Sequence, residues 1–317
     1  MTRFAAVSVV VLAAAFTLVC GTTLQAATIT AYYDFEGDFL DAPGAGVAAD
    51  DLVNKGGSLV ADAPANALGS TSSFKFDNFT AGGSFQRAET DAYSVDLTSG
   101  NEYTVMFWHK GDDNRQNNNN TRLATVRFLP AGGAAPVPAW QVEGYGLSGG
   151  NPDQMDMRLN EPIGGNLWFA DDAVGVLGPQ GGANDNGIEA DDRWHHVAFI
   201  FSNSAFGGAG SQTYVDGLLV GSESEFASTG NPIGNVAGEL ILGGHNSRNR
   251  SATGLLDDFA LFDGIVAASD ILMIAQGQLS PADFIPGTAV IPEPSSLTIL
   301  AIGLMLISAP VFRRRRL

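Results

Sequence analysis

The chain predicts an all-β fold, a β-sandwich built from many short antiparallel strands. Three observations carry this expectation. Apolar residues recur in short alternations bounded by Gly, Asn and Asp, with 39 glycines among 317 residues, as in strands joined by turns. Long stretches of helical periodicity are missing. Asp216-Gly217 sits between two apolar runs, 211–215 and 218–222, and a type I′ hairpin turn needs positive φ at both central positions.

Taken in order, residues 1–27 read as a secretory signal peptide rather than as structure. Arg3 is a short positive region, residues 5–19 are apolar, and Gln25-Ala26-Ala27 offers small residues for cleavage. Cys20, the single cysteine, stands behind Val19, where a lipoprotein signal needs a small residue. Its removal with the signal leaves a body with no disulfide and no thiolate metal site. About 260 residues follow, enough chain for one large sandwich.

Strands are expected at 103–108, 197–201, 211–215, 218–222, 239–243 and 255–262. One short helix is expected near the end: Ser269 caps it, Asp270 suits its positive N-terminus, 271–276 form its body, and Gly277 stops it. Residues 281–291, with Pro281, Pro286 and Gly287, read as a linker. Segments 111–122, 146–166 and 178–192 read as long loops, the first holding four consecutive asparagines at 117–120.

The last 26 residues carry a second address. Pro292-Glu293-Pro294 precedes an apolar run, 297–312, then Arg313-Arg314-Arg315-Arg316 and a terminal leucine. Residues 295–312 lack any charge. As a helix they span about 27 Å, close to a hydrocarbon core of about 30 Å. Four arginines cross at high cost and stay on the cytoplasmic side. This order resembles the PEP-CTERM sorting signal of Gram-negative envelopes. The resemblance implies an exosortase-type protease as partner and export across the inner membrane. It also implies a transmembrane helix anchoring the tail there until processing, then a cell-surface or extracellular destination.

Charge narrows the partners. Between residues 27 and 292 stand 33 acidic and 11 basic side chains, a net charge of −22. Such a surface repels nucleic acid and anionic lipid, and it attracts divalent cations.

Five segments in order resemble the laminin G-like, concanavalin A-like jelly roll of bacterial surface proteins. They are Tyr32-Tyr33-Asp34-Phe35-Glu36-Gly37-Asp38, Tyr103-Thr104-Val105-Met106-Phe107-Trp108-His109-Lys110, Arg193-Trp194-His195-His196-Val197-Ala198-Phe199, Tyr214-Val215-Asp216-Gly217, and Gly254-Leu255-Leu256-Asp257-Asp258-Phe259-Ala260-Leu261-Phe262. The resemblance spans residues 28–280 and matches poorly from 123 to 192. It implies two antiparallel sheets face to face, first and last strands adjacent, and Trp194 as a core anchor. Adjacent strand residues point to opposite faces, so His195 and His196 cannot chelate one ion together.

Three chemistries follow. Hard oxygen donors in loops and high negative charge favour calcium over zinc. The resemblance implies a structural calcium near the joined terminal strands, where Asp34, Glu36, Asp257 and Asp258 would supply carboxylates. No EF-hand loop fits, since Gly182 stands where Asn184-Asp185-Asn186-Gly187 would need an aspartate. Sugar binding is the second: Trp140, Tyr145 and Trp168, in or beside the long loops, offer stacking surfaces. Catalysis is the third. Glycosidases of this fold carry E-x-D-x-E on one strand so that acid and nucleophile share a face, and that pattern does not occur. Glu189-Ala190-Asp191-Asp192 reads as a loop, Glu223 and Glu225 lack the third carboxylate, and H-E-x-x-H is missing. The expectation is an exported, non-catalytic binding or structural module contacting polysaccharide or envelope proteins. The alternative is a glycan hydrolase of this fold with a diverged site.

Overall fold

The alternating segments fold as strands that pair into two sheets. The computed structural model describes residues 27–42, 51–77, 86–90, 93–95, 102–111, 121–128, 137–145, 154–160, 166–169, 192–202, 211–223, 236–244 and 253–286. The early strands are β1 (Thr28–Tyr33), β2 (Val53–Asn54), β3 (Ser58–Val60), β4 (Ser73–Asp77), β5 (Ala88–Glu89), β6 (Tyr93–Val95), β7 (Glu102–Gly111) and β8 (Thr121–Phe128). The later ones are β9 (Val137–Tyr145), β10 (Gln154–Asn160), β11 (Asn166–Phe169), β12 (Trp194–Ser202), β13 (Ser211–Val215), β14 (Leu218–Glu223), β15 (Val236–Leu242) and β16 (Thr253–Asp263).

One sheet runs β14-β13-β12-β7-β16-β4-β3, with β1 also on β16; the other runs β11-β10-β9-β8-β15-β5-β2, with β6 also on β15. β1 and β16 are antiparallel neighbours, Tyr33 across from Phe259, so the first and last strands adjoin as expected. Phe107, Val197, Phe199 and Phe259 of the first sheet pack in one core with Leu123, Val126, Val142 and Leu240 of the second. The sheets therefore lie face to face, the arrangement of a β-sandwich.

A third layer covers the outer face of the first sheet. Tyr32, Met106, Ala198, Ile200, Tyr214 and Phe262 pack with Ile271 and Ile274 of helix α1 (Ala268–Ala275). With the core between the sheets on one face and this outer cluster on the other, every residue from Tyr103 to His109 is buried despite the alternating sequence.

Several expectations need correction. Ser269 does not cap α1: Ala267 stands at the N-cap with no side-chain hydrogen bond, and Ser269 lies inside the helix. Asp270 is in the first turn as expected, and Gly277 follows the helix at φ +69°. The linker does not begin at 281, because Pro281–Phe284 forms a 3-10 turn. Ser280 and Asp283 cap it reciprocally, and Phe284 meets Phe262 edge-on. The reason is its apolar content: Pro281 is buried, and Ile285 joins the outer cluster. The chain divides instead between Ile285 and Pro286. The loop expected at 146–166 contains β10, which pairs with β9 and β11. Of 111–122, Gly111 ends β7 and Thr121 begins β8. Of 178–192, only Asp192 is described.

The hairpin forms as read, with Asp216 at φ +50° and Gly217 at φ +79° between β13 and β14. Its glycine has a second duty that the sequence hides. A Cβ at 217 would stand 2.8 Å from Leu272 Cα and 3.3 Å from Ala275 Cβ, so the turn seats α1. Gly37, at φ +115°, has nothing within 4 Å of such an atom. Gly217→Ala will therefore cost more than Gly37→Ala, by about 1–3 kcal/mol of overpacking. Urea unfolding of both variants measures the difference, and equal losses would refute the seating.

Candidate functional site

Four carboxylates gather where β1 ends beside β16. The register of β16 slips between Asp257 and Ala260 against β7, and Asp258 takes φ +49°. Leu256 and Phe259 both stay in the core between the sheets, so the two aspartates occupy an irregular step between two inward residues. Both are buried, at 0% and 4% exposure.

Hydroxyl groups meet them. Tyr32 Oη donates to Asp258 Oδ1 at 2.5 Å, with Ser280 Oγ 3.4 Å from the same phenol. Ser70 Oγ lies 2.5 Å from Asp257 Oδ2 and 3.2 Å from Glu36 Oε1, linking those carboxylates. Glu36 also accepts from Thr71 N at 2.7 Å, Ser72 N at 3.0 Å and Thr71 Oγ1 at 2.5 Å. Asp34 Oδ1 accepts from Glu36 N at 3.1 Å.

The electrostatics divide the four. Burial, then the neighbouring Asp258 charge, holds Asp257 well above the ordinary carboxylate range. Burial, then the charges of Asp34 and Glu36, raises Asp258. Burial would raise Glu36 too, but hydrogen bonds from Thr71, Ser72 and Ser70 outweigh it and hold it low. Among the described residues no Lys or Arg forms an ion pair with any of the four. Two buried acids without a basic partner must keep protons or meet a cation. The oxygen donors suit a hard ion in kind. As arranged, no three His, Cys, Asp or Glu side chains among the described residues converge on one point.

The sequence reading named these four acids but missed Tyr32, Ser70, Thr71, Ser72 and Ser280. The only available signal was the hydroxyl run Ser70-Thr71-Ser72-Ser73, which no periodicity assigns to a partner.

The aromatic candidates fall elsewhere. Trp140 and Tyr145 lie in β9 and Trp168 in β11, the strands that flank the segment 146–166. Trp140 stands across from Leu159 and Trp168 across from Arg158, on successive rungs of β10. Trp194 is no core anchor. Its Nε1 donates to Asp62 Oδ1 at 3.0 Å, and Lys110 Nζ reaches Asp62 Oδ2 at 3.0 Å, outside the core between the sheets. His195 and His196 part as expected: His195 pairs with Asp216, while His196 is fully buried with its ring against Trp108. The sorting motif Pro292, Glu293, Pro294, the apolar run 297–312 and Arg313, Arg314, Arg315, Arg316 lie outside the described residues. Among the described residues no helix is long and apolar enough to cross a membrane.

With the two sheets and their joined terminal strands in place, the family can be read. The profile of the concanavalin A-like lectin/glucanases superfamily (Laminin_G_3) matches residues 82–272, more than half of the chain. The chain belongs to this superfamily. Solved structures of the same fold include the receptor binding domain of botulinum neurotoxin C/D mosaic serotype (13% identity, TM-score 0.53, 79% of this chain and 51% of that one). The binding domain of Paraclostridial Mosquitocidal Protein 1 is similar (13% identity, TM-score 0.50, 78% of this chain and 52% of that one). The binding domain of botulinum neurotoxin serotype D is a third (14% identity, TM-score 0.50, 79% of this chain and 51% of that one). The chain thus spans about half the length of each toxin domain, and the likeness is one of fold. No curated protein matches the chain. The superfamily profile covers β7, β12 and the hairpin, and it ends within α1, which covers the first sheet.

Proposed function

We propose that this protein is an exported, non-catalytic surface module whose sandwich contacts polysaccharide or neighbouring envelope proteins. The observation that carries this reading is membership of the concanavalin A-like lectin/glucanases superfamily on a strongly acidic body. Its neighbours in fold are named as binding or receptor binding domains, which supports a contact role. Fold alone never assigns a ligand. A glycan hydrolase needs two carboxyl groups about 5 Å or about 6.5–9.5 Å apart on either side of a substrate. Among the described residues the adjacent acids Asp257 and Asp258 are buried and engaged by Ser70 and Tyr32, which favours a structural role for them.

Export follows the terminal signals. In this proposal an exosortase-type protease acts on Pro292-Glu293-Pro294 while 297–312 and the arginine quartet hold the chain in the inner membrane. Calcium is the proposed ion at Asp34, Glu36, Asp257 and Asp258, neutralising the buried pair.

Glycan-array binding tests the contact role. The full chain is expected to bind a defined polysaccharide class. Trp140→Ala, Tyr145→Ala or Trp168→Ala should weaken it by about 1–3 kcal/mol per lost hot-spot contact. Binding of no glycan by the unaltered chain would sink the polysaccharide reading.

A further inference from the structure

We propose that Trp194, Asp62, Lys110 and Lys75 form a binding surface for a uronate-bearing oligosaccharide on the outer face of the first sheet. Strand register builds the row. Trp194 of β12 stands across from Lys110 of β7, and Lys110 across from Leu255 of β16. Leu255 stands across from Lys75 of β4, and Lys75 across from Ser58 of β3. Leu256 and Phe74, next in the chain to Leu255 and Lys75, belong to the core between the sheets, so the row lies on the opposite, outer face.

The neighbouring row on that face is closed: His196, Trp108, Asp257 and Ser73 are all buried. The Trp194 row is open, with Lys75 and Ser58 exposed and Trp194 and Leu255 only partly buried. Trp194 joins neither apolar cluster. Polar contacts hold it instead. Its Nε1 donates to Asp62 Oδ1 at 3.0 Å, and Lys110 Nζ donates to Asp62 Oδ2 at 3.0 Å. Lys110 also lies 3.7 Å from Asp192, and Ser73 Oγ donates to the Asp62 carbonyl at 2.5 Å, tying this acid to β4. Burial would raise Asp62, but the hydrogen bonds from Trp194 and Lys110 outweigh it and hold it low. The indole is thus fixed by a charged acceptor that is itself fixed twice.

A fixed, partly exposed indole offers a stacking surface to the apolar C–H face of a sugar ring, and fixing it in advance removes part of the ordering cost of binding. Asp62 and Lys110, with side chains 43% and 20% exposed, stand beside the ring to meet hydroxyls. Lys75 sets the charge of the ligand. It is exposed and forms no ion pair among the described residues, on a body that is otherwise strongly acidic. An ammonium group so placed takes a carboxylate through charge-assisted hydrogen bonds. Neighbouring strands lie about 4.8 Å apart, so Trp194 and Lys75, three strands apart, are separated by roughly 14 Å. That reach suits a short oligosaccharide, one ring on Trp194 and a carboxylate at Lys75. The inference rests on the polysaccharide reading above and adds a contact on the first sheet, away from Trp140, Tyr145 and Trp168 on the second.

The test is calorimetric titration of the full chain with oligogalacturonate and with a neutral cello-oligosaccharide of the same length. Oligogalacturonate should bind more tightly. Trp194→Ala should abolish that binding, and Lys75→Gln should weaken it about 10-fold, the loss of one hydrogen bond to a charged group. Preference for the neutral chain, or unaltered affinity in Trp194→Ala, overturns the site. Should Trp194→Ala fail to fold, Lys75→Gln decides, because an exposed lysine without an ion pair leaves the fold intact, and unaltered affinity there overturns the site. Binding lost in Trp168→Ala but kept in Trp194→Ala and Lys75→Gln overturns this site and leaves the polysaccharide reading standing. Binding of no glycan at all removes both.

Discussion

In calcium-free buffer, raising the pH from 6.5 to 9 will lower the melting temperature of this protein, and millimolar calcium will restore it. The cause is the buried pair Asp257 and Asp258. Their folded pKa values are raised above the ordinary carboxylate value, so the folded state holds protons that the unfolded chain has released. Stability from such a group is full below about pH 4 and is lost as pH rises through the folded values, here about 7 and about 9 for the pair. Each proton held only by the folded state changes stability by about 1.4 kcal/mol per pH unit.

The window avoids an opposing group. Burial lowers His196 to about 4, so its contribution is full above about 6.5 and is lost only as pH falls toward 4. Above pH 6.5 the carboxyl pair acts without it. Asp257→Asn, neutral at every pH and nearly isosteric, should flatten the alkaline limb. A wild-type melting curve independent of pH over this window would refute the buried-proton account. A decline that millimolar calcium leaves unchanged would remove the calcium proposal while keeping that account.

The second large effect is expected at Phe107. Its ring stacks on Phe259, centroids 6.1 Å apart and 15° from parallel, and both are fully buried. They join β7 to β16 at the centre of the first sheet. Phe107→Ala should cost about 3–5 kcal/mol through lost burial and the cavity left behind. In a domain of this size each kcal/mol shifts the melting temperature by roughly 2–4 °C. Phe107→Leu, which refills most of the volume, should recover most of the loss. Chemical denaturation of both variants measures this, and a Phe107→Ala loss below 1 kcal/mol would contradict the packing.

The extent of reading from sequence differs between fold and site. Strands β7, β12, β13, β14, β15 and β16 were legible because alternation and turn chemistry are local. Asp216-Gly217 announced its hairpin because few residues tolerate positive φ there. The capping of α1 was misread because Ser269 has the right chemistry one residue inside the true start. Strand β10 was hidden by its flanking glycines and prolines. The site was half legible: four acids were named, while the hydroxyls that engage them come from segments up to 226 positions away.

By itself the sequence determined the fold class, the hairpin turn and the acidic character, since these follow from periodicity, turn residues and charge, while the adjacency of the terminal strands came as what the family resemblance implies. Tertiary structure alone decided that α1 seals the outer face of the first sheet, that Asp257 and Asp258 are buried against Ser70 and Tyr32, and that Trp194 and Lys110 meet at Asp62. Burial and cross-strand register belong to pairs of segments distant along the chain, and no local pattern encodes which pair will meet.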